Sequence, residues 1–127
     1  MIYLIKPVWY QSQLITIIQN YLKEKHPNKK LIIKRNYTHQ PLNETNTYIV
    51  INDPKLITWD GLEISKNIRL YEPQALLILA STEIDHNKFF KSHVGFFGII
   101  DIKNLSKKAI QNDIEDSIKL LDNQSNV

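Results

Sequence analysis

Thr47-Tyr48-Ile49-Val50-Ile51 runs directly into Asn52-Asp53-Pro54, and seven residues separate Asp53 from Gly61-Leu62-Glu63-Ile64. The first run is β-branched and aromatic with no polar alternation, the pattern of a strand buried on both faces. Asp60 and Glu63 have the spacing of a capping box. Behind them Ile64, Ile68 and Tyr71 mark one face of a helix, and Pro73 ends it. A buried strand, an acidic loop and a capped helix make one β-α unit.

The same alternation extends in both directions. Ile2 to Ile5 reads as a strand, and Leu14, Ile17, Ile18, Tyr21 and Leu22 then stripe a helix that Pro27 closes. Leu31 to Ile33 and Leu76 to Leu79 are further strands. Thr82 and Asp85 are candidate caps for a short helix ending near His93. Phe96 to Ile102 is a fifth strand, and Ile110, Ile114, Ile118 and Leu121 stripe a last helix. Residues 1–121 form one domain, followed by a polar tail or linker start over 122–127. Such alternation predicts an α/β fold with a parallel sheet covered on both faces. One crossover is too short: only Asn36 to Asn46, with Pro41 inside, joins the second strand to the third. A crossover with its helix needs about ten residues or more, so the second helix is expected to be lost or reduced to a turn.

The chain has 127 residues, 43% of them hydrophobic and 23% charged, which fits one globular domain rather than a disordered chain. No apolar run nears the ~20 residues of a membrane helix. Met1 to Ile5 lacks the basic start and cleavage site of a secretion signal. The absence of cysteine excludes disulfides, thiolate metal sites and cysteine nucleophiles. A cytoplasmic location is expected. Sixteen basic against thirteen acidic residues give +3, short of a DNA-binding footprint. The cluster Lys23, Lys25, Lys29, Lys30, Lys34 and Arg35 suits a solvated helix end and strand edge better than a nucleic-acid patch. Three glycines leave no glycine-rich phosphate loop. His26, His39, His86 and His93 show no metal-ligand spacing. Trp9 and Trp59 both fall in loops, Trp59 with partial core burial expected.

In open α/β sheets ligands bind beyond the carboxyl ends of the strands. Lys6, Asn52, Asp53, Ser81, Thr82, Asp101 and Lys103 fall there. The stretch Tyr48 to Asp53, with Gly61-Leu62 eight residues on, resembles the phosphoacceptor region of a two-component receiver domain. The later stretch, from Ile68-Arg69 through Ile78-Leu79 to Lys103-Asn104-Leu105, looks most like receivers of LytTR-type quorum-sensing regulators. The resemblance covers nearly the whole chain. It implies a flavodoxin-like sheet in the order 2-1-3-4-5, with Asp53 at the phosphoacceptor position.

An aspartyl phosphate forms when a carboxylate attacks a phosphoryl group, with Mg²⁺ offsetting the gathered negative charge. Receivers hold that ion with an acidic pair after the first strand. Here Lys6-Pro7 stands in that place. The family's hydroxyl residue after the fourth strand aligns with Ala80, or with Ser81 or Thr82 if the register slips. Its lysine after the fifth strand matches Lys103 only with a one-residue insertion; otherwise Ile102 falls there. Ile57 replaces the usual proline after the acceptor. The resemblance is therefore to a degenerate, pseudo-receiver form with no cofactor.

Each of these residues also has a plainer reading. Asp53-Pro54 suits a turn. Lys6 has two readings, pairing with Asp53 or snorkelling at the sheet edge. Ser81 and Thr82 suit helix caps, and Lys103 an exposed position near a helix start. Phe89, Phe90, Phe96 and Phe97 form either part of the core or an exposed partner-binding face. The resulting expectation is a regulator acting in transcriptional or quorum-sensing signalling through protein contacts, as a homodimer or with a partner regulator. It is not expected to be an enzyme or to contact a membrane. DNA is reached only through a C-terminal domain outside this sequence. The alternatives are a working phospho-receiver taking phosphate at Asp53 from a histidine kinase with Mg²⁺, or a small flavodoxin-like enzyme or ligand-binding protein.

Overall fold

The structure is a computed structural model, and it describes residues 1–39 and 44–125. The elements are β1 (Ile2–Ile5), α1 (Gln13–Lys25), β2 (Leu31–Lys34), β3 (Thr47–Asn52), α2 (Gly61–Tyr71), β4 (Leu76–Ser81), α3 (His86–Lys91), β5 (Gly98–Asp101) and α4 (Lys107–Ser125). All strand pairs are parallel, in the order β2-β1-β3-β4-β5. This is the flavodoxin-like order that the resemblance implies. Strand order reverses between β1 and β3, which puts the switch point of the sheet above those two strands.

Side-chain alternation along the strands builds two core layers. Leu4, Ile49, Ile51 and Ile78 pack against α1 through Leu14 and Ile18, and against α4 through Ile114 and Ile118. On the other face Ile5, Tyr48, Val50 and Leu79 meet Leu62 and Ile68 of α2 and Phe89 of α3. Residues 47–51 of β3 are all buried, so its unbroken apolar run serves both layers. Glu115 of α4 accepts hydrogen bonds from the Tyr21 hydroxyl and from His26 Nε2 (2.7 Å), which ties the end of α1 to α4.

No helix joins β2 to β3 among the described residues, as the short crossover predicts; Pro41 lies outside them. A polar anchor holds the crossover down instead. The Glu72 carboxylate, only 3% exposed, accepts from the Tyr37 hydroxyl of the crossover (2.7 Å), the Tyr48 hydroxyl and Asn46 Nδ2 (2.9 Å). Three donors on one buried carboxylate replace the water it has lost. Tyr48 also stacks on Tyr3 at 5.1 Å and meets Tyr37 edge-on.

Three boundaries differ from the sequence reading. β5 is shorter than Phe96 to Ile102, running only from Gly98 to Asp101; ahead of it the Arg69 guanidinium holds the backbone, donating to the carbonyls of Val94 (2.6 Å) and Gly95 (3.1 Å). The short helix α3 is capped by Asp85, one of the two candidates, whose Oδ1 accepts from Lys88 N at 3.1 Å; Thr82, the other, does not cap it, nor does Ser81, and the helix ends at Lys91 rather than near His93. The last helix continues to Ser125, four residues past the end of its apolar stripe at Leu121. Among the described residues no helix is long and apolar enough to cross a membrane.

Candidate functional site

Asp53 is the first residue beyond β3. Its Oδ1 accepts from Lys55 N (3.1 Å), and Leu56 N donates to its carbonyl (3.0 Å), so it starts the turn that the Asp-Pro pair predicts. The same Oδ1 accepts from Thr82 Oγ1 at 3.1 Å. The strand register explains this contact. Asn52 pairs with Ser81, and Thr82 N donates to the Asn52 carbonyl (3.1 Å), so Asp53 and Thr82 are the next pair past the ladder. The hydroxyl that meets Asp53 is therefore Thr82. Ala80, the unshifted alignment, is fully buried in the core. Ser81 is buried too, and is occupied by Asn52 Nδ2 (3.1 Å) and by its own bond to the Glu83 carbonyl (2.6 Å).

Lys6 corrects both readings made from the sequence. Its ammonium neither pairs with Asp53 nor snorkels; it donates to the carbonyls of Pro7 (3.2 Å), Val8 (3.1 Å) and Tyr10 (2.8 Å). The β1–α1 loop curls around it and turns three carbonyls inward, where backbone acceptors need a donor. Pro7 is buried beneath this loop. Tyr10, which the sequence reading passed over, lies near enough to Asp53 to feel its charge. Burial raises the phenol's pKa, and the aspartate raises it further. The only sequence signal for Tyr10 was its place in a loop at the carboxyl end of β1.

On the far side, Asp101 is level with Ser81. Its carboxylate accepts from Lys103 N (2.9 Å), Asn104 N (3.2 Å) and Asn104 Nδ2 (3.3 Å), closing the turn after β5. The Asn104 side chain, first among these donors, holds its pKa below the ordinary value. Ile102, not Lys103, stands level with Thr82, and Ile102 N donates to the Ser81 carbonyl (2.9 Å). Lys103 is exposed, and among the described residues its ammonium has no hydrogen-bond or ion-pair partner.

The spacing of Gly61 from Asp53 has a steric cause. A Cβ on Gly61 would lie 2.3 Å from the Ile51 carbonyl oxygen and 2.8 Å from Asn52 Cβ. The start of α2 is pressed onto the end of β3, and the half-buried Trp59 donates its indole N–H to the same Ile51 carbonyl at 2.7 Å. Ile57, in the loop between, is 99% exposed.

The phenylalanine group divides. Phe89 is buried and Phe96 packs edge-on against it, whereas Phe90, 82% exposed, and Phe97 face outward. Phe89 and Phe96 are thus core rather than interface. A cavity of about 640 Å³ lies at the opposite, amino end of the sheet, between Ile2, Thr47 and Ile118. It touches none of the residues around Asp53.

Mg²⁺ asks for a near-octahedral set of oxygen ligands. Beside Asp53 the end of β1 offers an ammonium already bonded to three carbonyls, and Asp101 is turned into its own loop. Among the described residues no three carboxylate, imidazole or thiol groups come together. The side chains present do not fit that ion.

No protein-family model matches the sequence, and no curated protein does. Solved structures do match its fold. A response regulator from Thermotoga maritima matches with TM-score 0.65 and 14% identity, over 93% of this chain and 97% of that one. The signal receiver domain of a DNA-binding response regulator from Colwellia psychrerythraea 34H matches with TM-score 0.65 and 15% identity, over 93% and 97%. A CheY-like receiver domain protein from Methanospirillum hungatei JF-1 gives 0.59 and 12%, over 97% and 96%. The fold is that of response-regulator receiver domains. At such identities the likeness establishes architecture and leaves the chemistry to the residues.

Proposed function

We propose that this chain is a receiver-type regulatory domain that signals through protein contacts without forming an aspartyl phosphate. The observation that carries the reading is Lys6, an ammonium bound into the β1–α1 loop at the position of the acidic pair. A lysine so placed offers no oxygen ligand for a metal, and its three N–H groups are spent on the loop. The domain is then held in one state or is switched by something other than phosphate. By resemblance it belongs with LytTR-type regulators in transcriptional or quorum-sensing control, in the cytoplasm, reaching DNA through a domain outside this sequence. The exposed pair Phe90 and Phe97, rather than all four phenylalanines, marks the face that would meet a second copy or a partner regulator.

One observation favours the second reading, a working phospho-receiver. Asp53 keeps a hydroxyl partner in Thr82, and its Oδ2 accepts no hydrogen bond among the described residues. Intact mass after incubation with acetyl phosphate and Mg²⁺ separates the two, with Asp53→Asn as control. No mass gain in a folded sample is expected. One added phosphoryl group, absent from Asp53→Asn, would overturn the proposal and make this chain a histidine-kinase substrate.

A further inference from the structure

β2 is the edge of the sheet, and its pairing with β1 fixes which of its backbone groups look outward. Lys6 N donates to the Lys34 carbonyl at 3.0 Å, so Lys34 and, two residues back, Ile32 turn their backbone groups toward β1. Leu31 and Ile33 therefore present their N–H and C=O to the open side. Among the described residues no strand pairs with that side, and none of those in the crossover leaving β2 is helical. Ile33 is 42% exposed. At its carboxyl end the edge opens into a groove of about 570 Å³ between Val8, Ile33, Lys34, Arg35 and Asn36. Trp9, 66% exposed, follows Val8 in the chain.

The charges on β2 and its flanking residues have one sign, although at the amino end Glu44 and Asp122 line the same cavity as Lys29 and Lys30. Lys29 and Lys30 precede the strand, Lys34 and Arg35 end it, and no acidic residue lines the groove. Lys34 is occupied over the Tyr3 ring at 4.9 Å, and Lys29 with Asp122 at 3.5 Å. Lys30 and Arg35 have no hydrogen-bond or ion-pair partner among the described residues. They bracket the strand about 17 Å apart, at roughly 3.3 Å per residue, the span of a short extended segment.

Lysines on an edge strand keep copies of the same sheet from joining edge to edge. Two molecules meeting through β2 would bring these cations together. The same charges favour a strand of opposite sign. We propose that the β2 edge receives, by strand addition, an extended acidic segment of another protein. Its backbone bonds to Leu31 and Ile33, its carboxylates face Lys30 and Arg35, and its apolar side chains rest on Val8 and Ile33.

The test uses a capped decapeptide of alternating Glu and Val, with a Lys and Val decapeptide as control, followed by amide hydrogen exchange in NMR spectra. Binding of the acidic peptide is expected to saturate and to slow exchange at Leu31 and Ile33 at least tenfold. Ile32 and Lys34, already bonded to β1, should be unaffected. The surface pair Lys30→Glu with Arg35→Glu should weaken binding tenfold or more. Ile33→Pro should abolish it while leaving the β1 ladder intact, since that N–H faces outward. The inference fails if the lysine peptide binds equally well, if binding leaves exchange at Ile33 unchanged, or if the charge-reversed pair binds as the parent does. Should Ile33→Pro not fold, the charge-reversed pair still decides.

Discussion

Gly61→Ala turns the steric account of the site into a measurable number. The added methyl would lie 2.3 Å from a backbone carbonyl oxygen, whereas ordinary contacts begin near 3.4 Å, so α2 must retreat from β3 by about 1 Å. Neither neighbour is a flexible side-chain tip that can swing aside. Overpacking of this kind costs about 1–3 kcal/mol. The retreat also stretches the Trp59–Ile51 hydrogen bond, worth about 1 kcal/mol. Alanine's helix preference over glycine offsets only about 0.5–1 kcal/mol. The net loss is about 2 kcal/mol. With a urea dependence of roughly 1–3 kcal/mol per molar, the unfolding midpoint falls by about 1 M. Tryptophan fluorescence is a suitable probe, because half-buried Trp59 sits at the strained junction while Trp9 is already exposed. Gly95→Ala supplies the contrast: φ is 71° there but the space is open, so its cost is left-handed strain of about 1 kcal/mol, with Trp59 undisturbed. A Gly61→Ala protein as stable as the parent would refute the close-approach explanation and remove the physical reason for that spacing.

Further predictions follow from the buried polar groups. Glu72→Ala leaves Tyr48 and Asn46 as buried unpaired donors and should cost about 3–5 kcal/mol in urea unfolding. Tyr37→Phe, which removes a half-exposed partner, should cost no more than about 1.5 kcal/mol. Alkali should destabilise the fold. The Tyr21 phenol is pushed up to about 12, chiefly by burial and then by its bond to Glu115, and burial with the Glu72 bond raises Tyr37 and Tyr48 as well. Unfolded tyrosines ionise near pH 10 while these keep their protons, so thermal midpoints should fall between about pH 10 and 12. Lys6→Met keeps the side-chain length but strands three loop carbonyls. It should cost about 2–4 kcal/mol, and a destabilisation unchanged by adding Asp53→Asn would identify the loop, rather than Asp53, as the partner.

What the sequence disclosed was local. The β3 run, the Asp60 cap (its Oδ1 accepting from Glu63 N at 3.0 Å), the helical stripes and the missing crossover helix all follow from neighbouring residues and chain length. The features that escaped depend on partners far along the chain. Glu72 is an unremarkable helix-end residue until Tyr37, Asn46 and Tyr48 close on it. Arg69 reaches the backbone ahead of β5 from more than twenty residues away. Thr82 could not be chosen over Ala80 because the choice depends on where β4 stops, and β4 continues two residues past its last leucine. The phenylalanines were legible only in part. Phe89 and Phe90 are about 100° apart on a short helix packed on one side only, so that pair could be expected to divide, whereas Phe96 and Phe97, beside a sheet covered on both faces, could not be separated by periodicity.

The residues that make this site look like a phosphorylation site all have work to do without phosphate. Asp53 opens the turn after β3 and joins the end of β4 through Thr82. Gly61 lets α2 press onto β3, and Asp101 closes the turn that leads toward α4. A domain that had given up phosphoryl transfer would keep all three for stability alone, so their presence carries little weight in deciding the chemistry. Position 6 carries more. An acidic residue there would set a carboxylate among the carbonyls of Pro7, Val8 and Tyr10, an arrangement of like partial charges that a bound cation must relieve. Lysine supplies the cation covalently, and the loop closes on it with no ion bound. On the proposed reading, the charge that a metal would bring is built into the chain, which is why that reading rests on Lys6 rather than on Asp53.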